Sequence, residues 1–223
     1  MDTMKILHYY STKREFIPNK IFCLGQNYIN HIKEMKAEIP TTPVIFMKPP
    51  SAIITNGEPI ILPGISNNVH HEVELVVAIG KNGKNIPIEN ASSYIAGYAV
   101  GLDMTLRDVQ AAAKKNGLPW TIAKGFDTSA PISDILPPSM VADPHNCTLE
   151  CKVNNELRQR GSTRDMIFSI DKIIAYLSTI FTLETGDLIF TGTPEGVGPV
   201  HAGDTICAEL VGLISITHPV SAN

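Results

Sequence analysis

Turn-forming residues are spread along the whole of this chain. Its 223 residues include 16 glycines and 16 prolines, and these do not cluster in any one segment. Such a distribution indicates many turns between short elements, because glycine and proline are the residues that most strongly interrupt regular structure. We therefore expect a strand-rich fold rather than a helical bundle. The 43% of hydrophobic residues is typical of a chain that forms a globular core.

Charge and hydropathy exclude several classes of partner. Acidic residues outnumber basic residues by 22 to 18, and no Lys/Arg stripe interleaved with aromatic residues is present, so we expect neither nucleic acid nor an anionic membrane as a partner.

No apolar run approaches the roughly 20 residues that span a bilayer. The N-terminal residues lack a signal-peptide core and an Arg-rich transit pattern, which favours the cytoplasm. The four cysteines have no redox or zinc spacing and are expected to be reduced.

Three carboxylates stand at the ends of two apolar runs. Glu72 and Glu74 flank Val73 in a Val- and Leu-rich segment that reads as a strand up to Ile79, so both side chains leave the same face. Asp103 ends the second run. The Glu-x-Glu spacing alone is typical of the solvated face of an antiparallel sheet. Clustered oxygen ligands without cysteine or histidine would instead favour magnesium or manganese over zinc, and both interpretations are open.

Two amphipathic helices are predicted. The first covers 107–115, and Thr105 with Asp108 ahead of it resembles a capping box. The second opens at Ser169 and carries apolar residues at helical spacing as far as Ile180. Helices are therefore expected to be few among many short strands.

Two further segments carry chemistry-bearing residues. Residues 27–36 have helical character and place His31 and Glu34 three apart on one face, although such a pair is by itself typical of a weak helix contact.

The glycine-rich segment 191–198 lacks the Gly-Lys-Ser/Thr ending of a phosphate-binding loop. It is either a loop whose N–H groups approach a ligand carboxylate or a plain inter-strand loop. His70 and His71 precede the acidic pair on opposite strand faces, so one of them is expected to support the site from behind.

Six motifs follow one another in a fixed order. They are Gly25-Gln26-Asn27-Tyr28 ahead of His31 and Glu34, Phe46-Met47-Lys48-Pro49, His71-Glu72-Val73-Glu74, Gly101-Leu102-Asp103-Met104-Thr105 with Arg107-Asp108-Val109-Gln110, Trp120-Thr121-Ile122-Ala123-Lys124, and Thr191-Gly192-Thr193-Pro194-Glu195-Gly196-Val197-Gly198. In this order they resemble the fumarylacetoacetate hydrolase superfamily, specifically its short single-domain branch of acylpyruvate hydrolases (acylpyruvases) and oxaloacetate decarboxylases. The resemblance extends from about residue 20 to about residue 215.

The resemblance implies a strand-dominated α+β fold, a mixed β roll with a few short helices like the C-terminal domain of fumarylacetoacetate hydrolase. Residues 20–219 are expected to form one catalytic domain behind a short strand-and-turn segment at 1–19. The usual assembly in this branch is a homodimer, which we expect here as well.

The same resemblance assigns roles to residues of this chain. It implies magnesium or manganese on three metal ligands, a catalytic dyad with an active-site lysine, and a substrate pocket. The metal ligands are Glu72, Glu74 and Asp103; the catalytic residues are His31, Glu34 and Lys124; the substrate-binding residues are Arg107, Gln110, Thr193, Lys48 and Gly25.

The implied reaction is divalent-metal-dependent cleavage of a 2-keto acid, which releases pyruvate through a metal-stabilised enolate. Acylpyruvate hydrolysis, oxaloacetate decarboxylation, or both are expected, with His31 as the general base of the hydrolysis. One alternative is an isomerase, decarboxylase or hydratase of a 2-hydroxy-dienedioate in aromatic catabolism. A second alternative is a non-catalytic protein that binds metal and keto acid.

Overall fold

The computed structural model describes residues 5–223, so the first four residues of the predicted N-terminal segment lie outside the described part. Short strands dominate, as expected. The strands are β1 Leu7–His8, β2 Glu15–Phe16, β3 Ile21–Gly25, β4 Val44–Lys48, β5 Ile53–Ile54, β6 Ile60–Leu62, β7 Val69–His71, β8 Val73–Ile79, β9 Ile95–Leu102, β10 Thr105–Leu106, β11 Ala130–Pro131, β12 Thr148–Val153, β13 Glu156–Ser162, β14 Leu188–Phe190, β15 Gly198–Val200, β16 Thr205–Leu210 and β17 Ile214–Ala222.

The helices are short by comparison. The α-helices are α1 Ile29–Glu34, α2 Arg107–Lys115, α3 Thr121–Lys124 and α4 Ile170–Ile180; single 3₁₀ segments cover Pro50–Ala52, Ile88–Tyr94, Pro138–Met140 and Thr163–Asp165. None of the helices described here is long and apolar enough to cross a membrane.

Two five-stranded sheets form the body of the fold. One has the order β4-β3-β14-β8-β9 and the other the order β13-β12-β16-β17-β6. Most neighbours are antiparallel, but β14 pairs with β3 and β17 pairs with β6 in parallel. The architecture is therefore the mixed, strand-dominated α+β fold that the sequence predicts.

The strand β8 is buried along its whole length. Val73, Leu75 and Val77 pack into one apolar cluster, whereas Val76 and Ala78 pack into a second cluster on the opposite face of the sheet. The solvated-face interpretation of the Glu-x-Glu motif is therefore wrong, because both faces of this strand are covered.

Helix boundaries agree with the sequence in part. The helix predicted over 107–115 is confirmed, but the capping box is wrong. No side chain caps this helix, because the Thr105 hydroxyl donates to the carbonyl of Asp103 and Asp108 accepts hydrogen bonds from Ser66 and Asn67. The segment with helical character over 27–36 forms a shorter helix, Ile29–Glu34. The four cysteines are free.

Candidate active site

Three carboxylates converge where β8 and β9 run side by side. The register pairs Val73 with Leu102, which sets Glu72 opposite Asp103, and the Asp103 N–H donates to the Glu72 carbonyl over 2.8 Å. One oxygen from each of the carboxylates of Glu72, Glu74 and Asp103 lies within 4.8 Å of the other two. All three residues are at most 5% exposed, so their mutual repulsion is not relieved by solvent.

Positive side chains surround these carboxylates. The Lys124 ammonium lies 2.8 Å from Glu72 Oε2 and 2.6 Å from Asp103 Oδ2. Lys48, whose side chain is fully buried, lies 2.8 Å from Asp103 Oδ1. Arg107 forms an ion pair with Glu72. Each of these cations offsets part of the negative charge that burial would otherwise make unfavourable.

The carboxylates differ in proton affinity. Burial alone would raise the pKa of Glu72, but Lys124 and Arg107 hold the pKa of that carboxyl well below its usual range. Burial, followed by the charges of Asp103 and Glu72, raises the pKa of Glu74 well above its usual range. Burial opposes the charge on Lys124, yet Asp103 and Glu72 raise the pKa of its ammonium. Glu74 is therefore the carboxylate that the surrounding protein neutralises least.

The donor set fits a hard divalent cation. Three buried carboxylates supply oxygen ligands of the type that Mg²⁺ and Mn²⁺ prefer. Glu74 accepts a hydrogen bond from the Gly192 N–H over 2.7 Å. The ammonium of Lys124 already bridges Glu72 and Asp103, which marks the space between these oxygens as one that holds positive charge.

His31 and Glu34, the predicted dyad, are in contact. His31 Nδ1 lies 3.0 Å from Glu34 Oε2, and Glu34 Oε1 accepts from the Gly196 N–H over 3.1 Å. His31 is 7% exposed, whereas Glu34 lies at the surface. The carboxylate thus fixes the ring from its Nδ1 side and links helix α1 to the glycine-rich loop.

One cavity brings the predicted residues together. Its walls include eight of the predicted positions: His31, Glu72, Glu74, Lys124, Arg107, Gln110, Thr193 and Gly25. Glu34 stands behind His31, and Asp103 stands behind Lys124. The Arg107 guanidinium donates to Gln110 Oε1 over 2.8 Å, which fixes the two side chains relative to each other.

Lys48 lies elsewhere. Its ammonium is directed to Asp103, to Ser129 Oγ at 3.1 Å and to the carbonyl of Lys124, and it does not line the cavity. In this geometry Lys48 holds Asp103 in place. A direct contact between Lys48 and substrate stays a prediction that these contacts do not support.

The Thr193 hydroxyl is engaged within the protein. It donates to the Val73 carbonyl over 2.8 Å and accepts from Gln159 Nε2 over 2.8 Å, so its single hydrogen is used. The Thr193 backbone N–H has no acceptor among residues 5–223. What Thr193 offers to a ligand is therefore its N–H group rather than its side-chain hydrogen.

Sequence reasoning missed several wall residues: Leu24, Gln26, Met35, Phe46, Lys114 and Trp120. Lys114 lies one helical turn after Gln110, so the 3.6-residue period was a signal that could have found it. Burial, with the charges of Arg107 and Lys124, lowers the pKa of Lys114. Burial also lowers the pKa of His70, to about 4, and the pKa of His71. Of these two residues, His71 is the fully buried one, and its Nδ1 atom lies 2.9 Å from Gln159 Oε1.

Comparison with known proteins agrees with this geometry. Residues 20–221 match the family model described as fumarylacetoacetate (FAA) hydrolase C-terminal. The chain is 52% identical over 200 residues to the oxaloacetate tautomerase FAHD1 of Mus musculus, named as mitochondrial, and the match covers 90% of each chain.

Solved structures agree as well. The crystal structure of fumarylpyruvate hydrolase from Pseudomonas aeruginosa in complex with Mn²⁺ and pyruvate has a TM-score of 0.96 and 38% identity, covering 100% of this chain and 98% of that one. The 5-carboxymethyl-2-hydroxymuconate delta-isomerase from Mycobacterium smegmatis has a TM-score of 0.83 and 37% identity, covering 95% and 86%. With its acidic centre, its His-Glu pair and these matches, the chain belongs to the fumarylacetoacetate hydrolase family.

Proposed function

We propose that this protein is a divalent-metal-dependent enzyme that acts on 2-keto acids through an enolate, with oxaloacetate and acylpyruvates as the first substrates to test. The observation that carries the proposal is one cavity that holds Glu72 and Glu74, with Asp103 behind them, together with Lys124 and His31. The names of the relatives support it, since one is an oxaloacetate tautomerase and another was crystallised with Mn²⁺ and pyruvate.

The charged residues have separable roles. Glu72, Glu74 and Asp103 would hold Mg²⁺ or Mn²⁺, which when bound supplies positive charge that stabilises an enolate oxygen. Lys124 and Arg107 add fixed positive charge in the same cavity, where a 2-keto acid brings a carboxylate and develops further negative charge. The Thr193 N–H is available to the substrate carboxylate.

The dyad supplies proton transfer. Because Glu34 accepts from the Nδ1 side of the ring, His31 Nε2 is the atom that is left to take a proton. Hydrolysis of an acylpyruvate requires a base that activates water for attack on the remote acyl carbonyl. Decarboxylation and keto-enol interconversion of oxaloacetate need no attacking water, so we propose that the dyad matters most for hydrolysis.

A parallel assay tests this proposal. Purified protein with Mn²⁺ or Mg²⁺ is given oxaloacetate, acetylpyruvate and fumarylpyruvate, while enol absorbance and pyruvate release are followed, and each reaction is repeated with a chelator. We expect metal-dependent turnover of at least one substrate. Turnover that survives the chelator would contradict the shared metal-dependent mechanism.

A second function has a specific observation in its favour. The likeness to a hydroxymuconate delta-isomerase supports isomerisation of a 2-hydroxy-dienedioate, because an enolate-stabilising site suits that reaction as well. If none of the three keto acids is turned over and a 2-hydroxy-dienedioate is isomerised, this second function replaces the first.

The proposal extends to assembly, domain organisation and compartment. Exposed apolar side chains at Met47, which lies on edge strand β4, and at Leu118 beside it support a homodimer, which light scattering of the purified protein tests. We propose that residues 20–219 form one catalytic domain. We also propose a cytoplasmic location. The relative from Mus musculus is named as mitochondrial, so cell fractionation is the experiment that decides between the two compartments.

A further inference from the structure

Gln159 is a buried amide that connects two parts of the site. It lies on β13 and is 1% exposed. Its Oε1 atom lies 2.9 Å from His71 Nδ1 and 3.1 Å from the Val73 backbone nitrogen. Its Nε2 atom lies 2.8 Å from Thr193 Oγ1 and 2.9 Å from the Pro194 carbonyl oxygen.

Two of these partners fix the orientation of the amide. The Val73 N–H can only donate, and the Pro194 carbonyl can only accept. A flipped amide would set donor against donor and acceptor against acceptor, so Oε1 faces Val73 and Nε2 faces Pro194. His71 Nδ1, which also faces Oε1, must therefore carry a hydrogen.

The four partners of Gln159 belong to the two segments that shape the cavity. His71 and Val73 flank Glu72, and Thr193 with Pro194 lies in the loop whose Gly192 N–H donates to Glu74. Gln159 belongs to a third segment, strand β13, and its side chain bonds to both of the others. Each polar atom of the Gln159 side chain has two partners, so loss of this amide would leave several buried polar groups without a partner.

We propose that Gln159 is a positioning residue that holds the Thr193 loop against the acidic strand and fixes His71 as its Nδ1–H tautomer. The role rests on the proposed function, since it concerns the same site. Gln159 does not line the cavity and acts through Thr193 and through the backbone around Glu72. With the hydroxyl of Thr193 held by Gln159 and the Val73 carbonyl, the backbone N–H is the donor of Thr193 that has no acceptor among residues 5–223.

Nuclear magnetic resonance tests the hydrogen bond without any turnover. The protein has seven histidines, and selective ¹⁵N labelling of histidine resolves the protonated nitrogen of each ring, with His71 assigned by the loss of its signal in His71→Asn. We expect His71 to carry its hydrogen on Nδ1 in the wild type and in Gln159→Glu, which keeps an acceptor. Gln159→Leu should lose this signature. A wild-type His71 protonated on Nε2 alone would overturn the proposal.

Kinetics test the positioning role. Gln159→Glu removes both donors to the loop, and Gln159→Leu removes the whole bridge, so each should lower kcat/KM about 10- to 100-fold, the range that removal of outer partners of a metal site usually costs. The greater part of the loss should appear in KM, because the displaced group binds substrate.

A matched control separates positioning from mere stability. Ser178 is also fully buried and bridges two backbone groups, accepting from the Ile86 N–H and donating to the Ala175 carbonyl, but it lies away from the cavity. Ser178→Ala should lower Tm while leaving kcat/KM within about twofold.

The outcomes are distinct. An equal loss of kcat/KM in Ser178→Ala, or full activity in Gln159→Glu, would overturn the proposal. If Gln159→Leu does not fold, the tautomer of the wild type and the kinetics of Gln159→Glu still decide. If the wild type turns over no keto acid, the proposed function fails, whereas the His71 signature still tests the hydrogen bond to Gln159.

Discussion

The acidic centre and the His31–Glu34 pair face one cavity but are held in different ways. Glu72, Glu74 and Asp103 are fixed by the register of two buried strands and by ion pairs to buried cations. The dyad is carried by a helix of six residues without a side-chain cap, and the hydrogen bonds that connect this helix to the glycine-rich loop lie at the surface. Fixed charge is thus built on the sheet, and the pair proposed for proton transfer is built on a short helix of low intrinsic stability.

The largest expected effect concerns the acidic centre. Glu74→Gln should abolish Mn²⁺ binding and lower every activity by at least about 10³-fold, because a bound metal supplies several kcal/mol of charge stabilisation and each 1.4 kcal/mol is tenfold. Calorimetric titration with Mn²⁺ and the parallel assay measure both quantities. Exposed Glu89→Gln is the control and should behave as wild type. Unchanged Mn²⁺ affinity in Glu74→Gln would contradict its assignment as a metal ligand.

The next effect concerns the dyad. His31→Ala should slow acylpyruvate hydrolysis about 10²- to 10⁴-fold, the usual contribution of a general base, and should slow oxaloacetate turnover much less. Mn²⁺ affinity should be unchanged, because among residues 5–223 the only hydrogen bond of the His31 side chain is to Glu34. Lys33→Ala, on the exposed side of the same helix, is the control. Equal loss of hydrolysis and oxaloacetate turnover would contradict the proposal that the His31–Glu34 pair and the acidic centre have separate roles.

A third effect concerns stability. In the presence of a chelator, Lys124→Met should lower the free energy of unfolding by up to about 3–5 kcal/mol, because the buried charge of Glu72 is then offset only by Arg107 and that of Asp103 only by Lys48. Added Mn²⁺ should restore much of this loss by neutralising the same carboxylates. Denaturant unfolding measures the change, with exposed Lys115→Met as control. A metal-free Lys124→Met as stable as wild type would show that Lys124 does not compensate the acidic centre.

The pH dependence of stability isolates Glu74. The pKa of Glu74 in the folded chain lies well above the ordinary value of 4.5. Protonation of Glu74 therefore stabilises the fold fully below pH 4.5, and this contribution is lost as the pH rises through the folded pKa. Without metal, the Tm of wild type should therefore fall relative to that of Glu74→Gln as pH rises. A few degrees are expected, since about 1 kcal/mol shifts Tm by roughly 2–4 °C at this chain length. A constant difference in Tm from pH 5 to pH 8 would argue against the raised pKa.

The smallest effect is expected at the attachment of the helix. Asn30 donates to Glu195 over 3.1 Å at the surface, and a hydrogen bond of this kind contributes about 0.5–1.5 kcal/mol. Asn30→Ala should raise KM for an acylpyruvate by a few fold and leave Mn²⁺ affinity unchanged. A tenfold fall in Mn²⁺ affinity would mean that the helix and the acidic centre are not independent.

Local pattern predicted much of the fold and of the site. The alternation of Val73 and Leu75 with acidic residues predicted both the strand and the shared face of Glu72 and Glu74. The apolar spacing after Ser169 predicted helix α4. These succeeded because backbone periodicity alone decides which side chains share a face.

What failed depended on contacts between distant segments. Burial of both faces of β8 follows from packing of other elements on the sheet, which spacing cannot reveal. The capping box failed because the Thr105 hydroxyl is held by the Asp103 carbonyl and by Lys124. Gln159 gave no signal, since it stands in a polar strand between Arg158 and Arg160, and its importance arises only from the segments that meet there.

The cations around the acidic centre have a consequence for how the protein is assembled in the cell. Three carboxylates face three basic side chains, Lys48, Lys124 and Arg107, so this part of the chain is close to electrically neutral by itself. Folding would then not require the proposed metal, and a divalent ion would compete with the Lys124 ammonium for Glu72 and Asp103. The affinity of the proposed site for metal would accordingly depend in part on the free energy needed to move the Lys124 side chain aside.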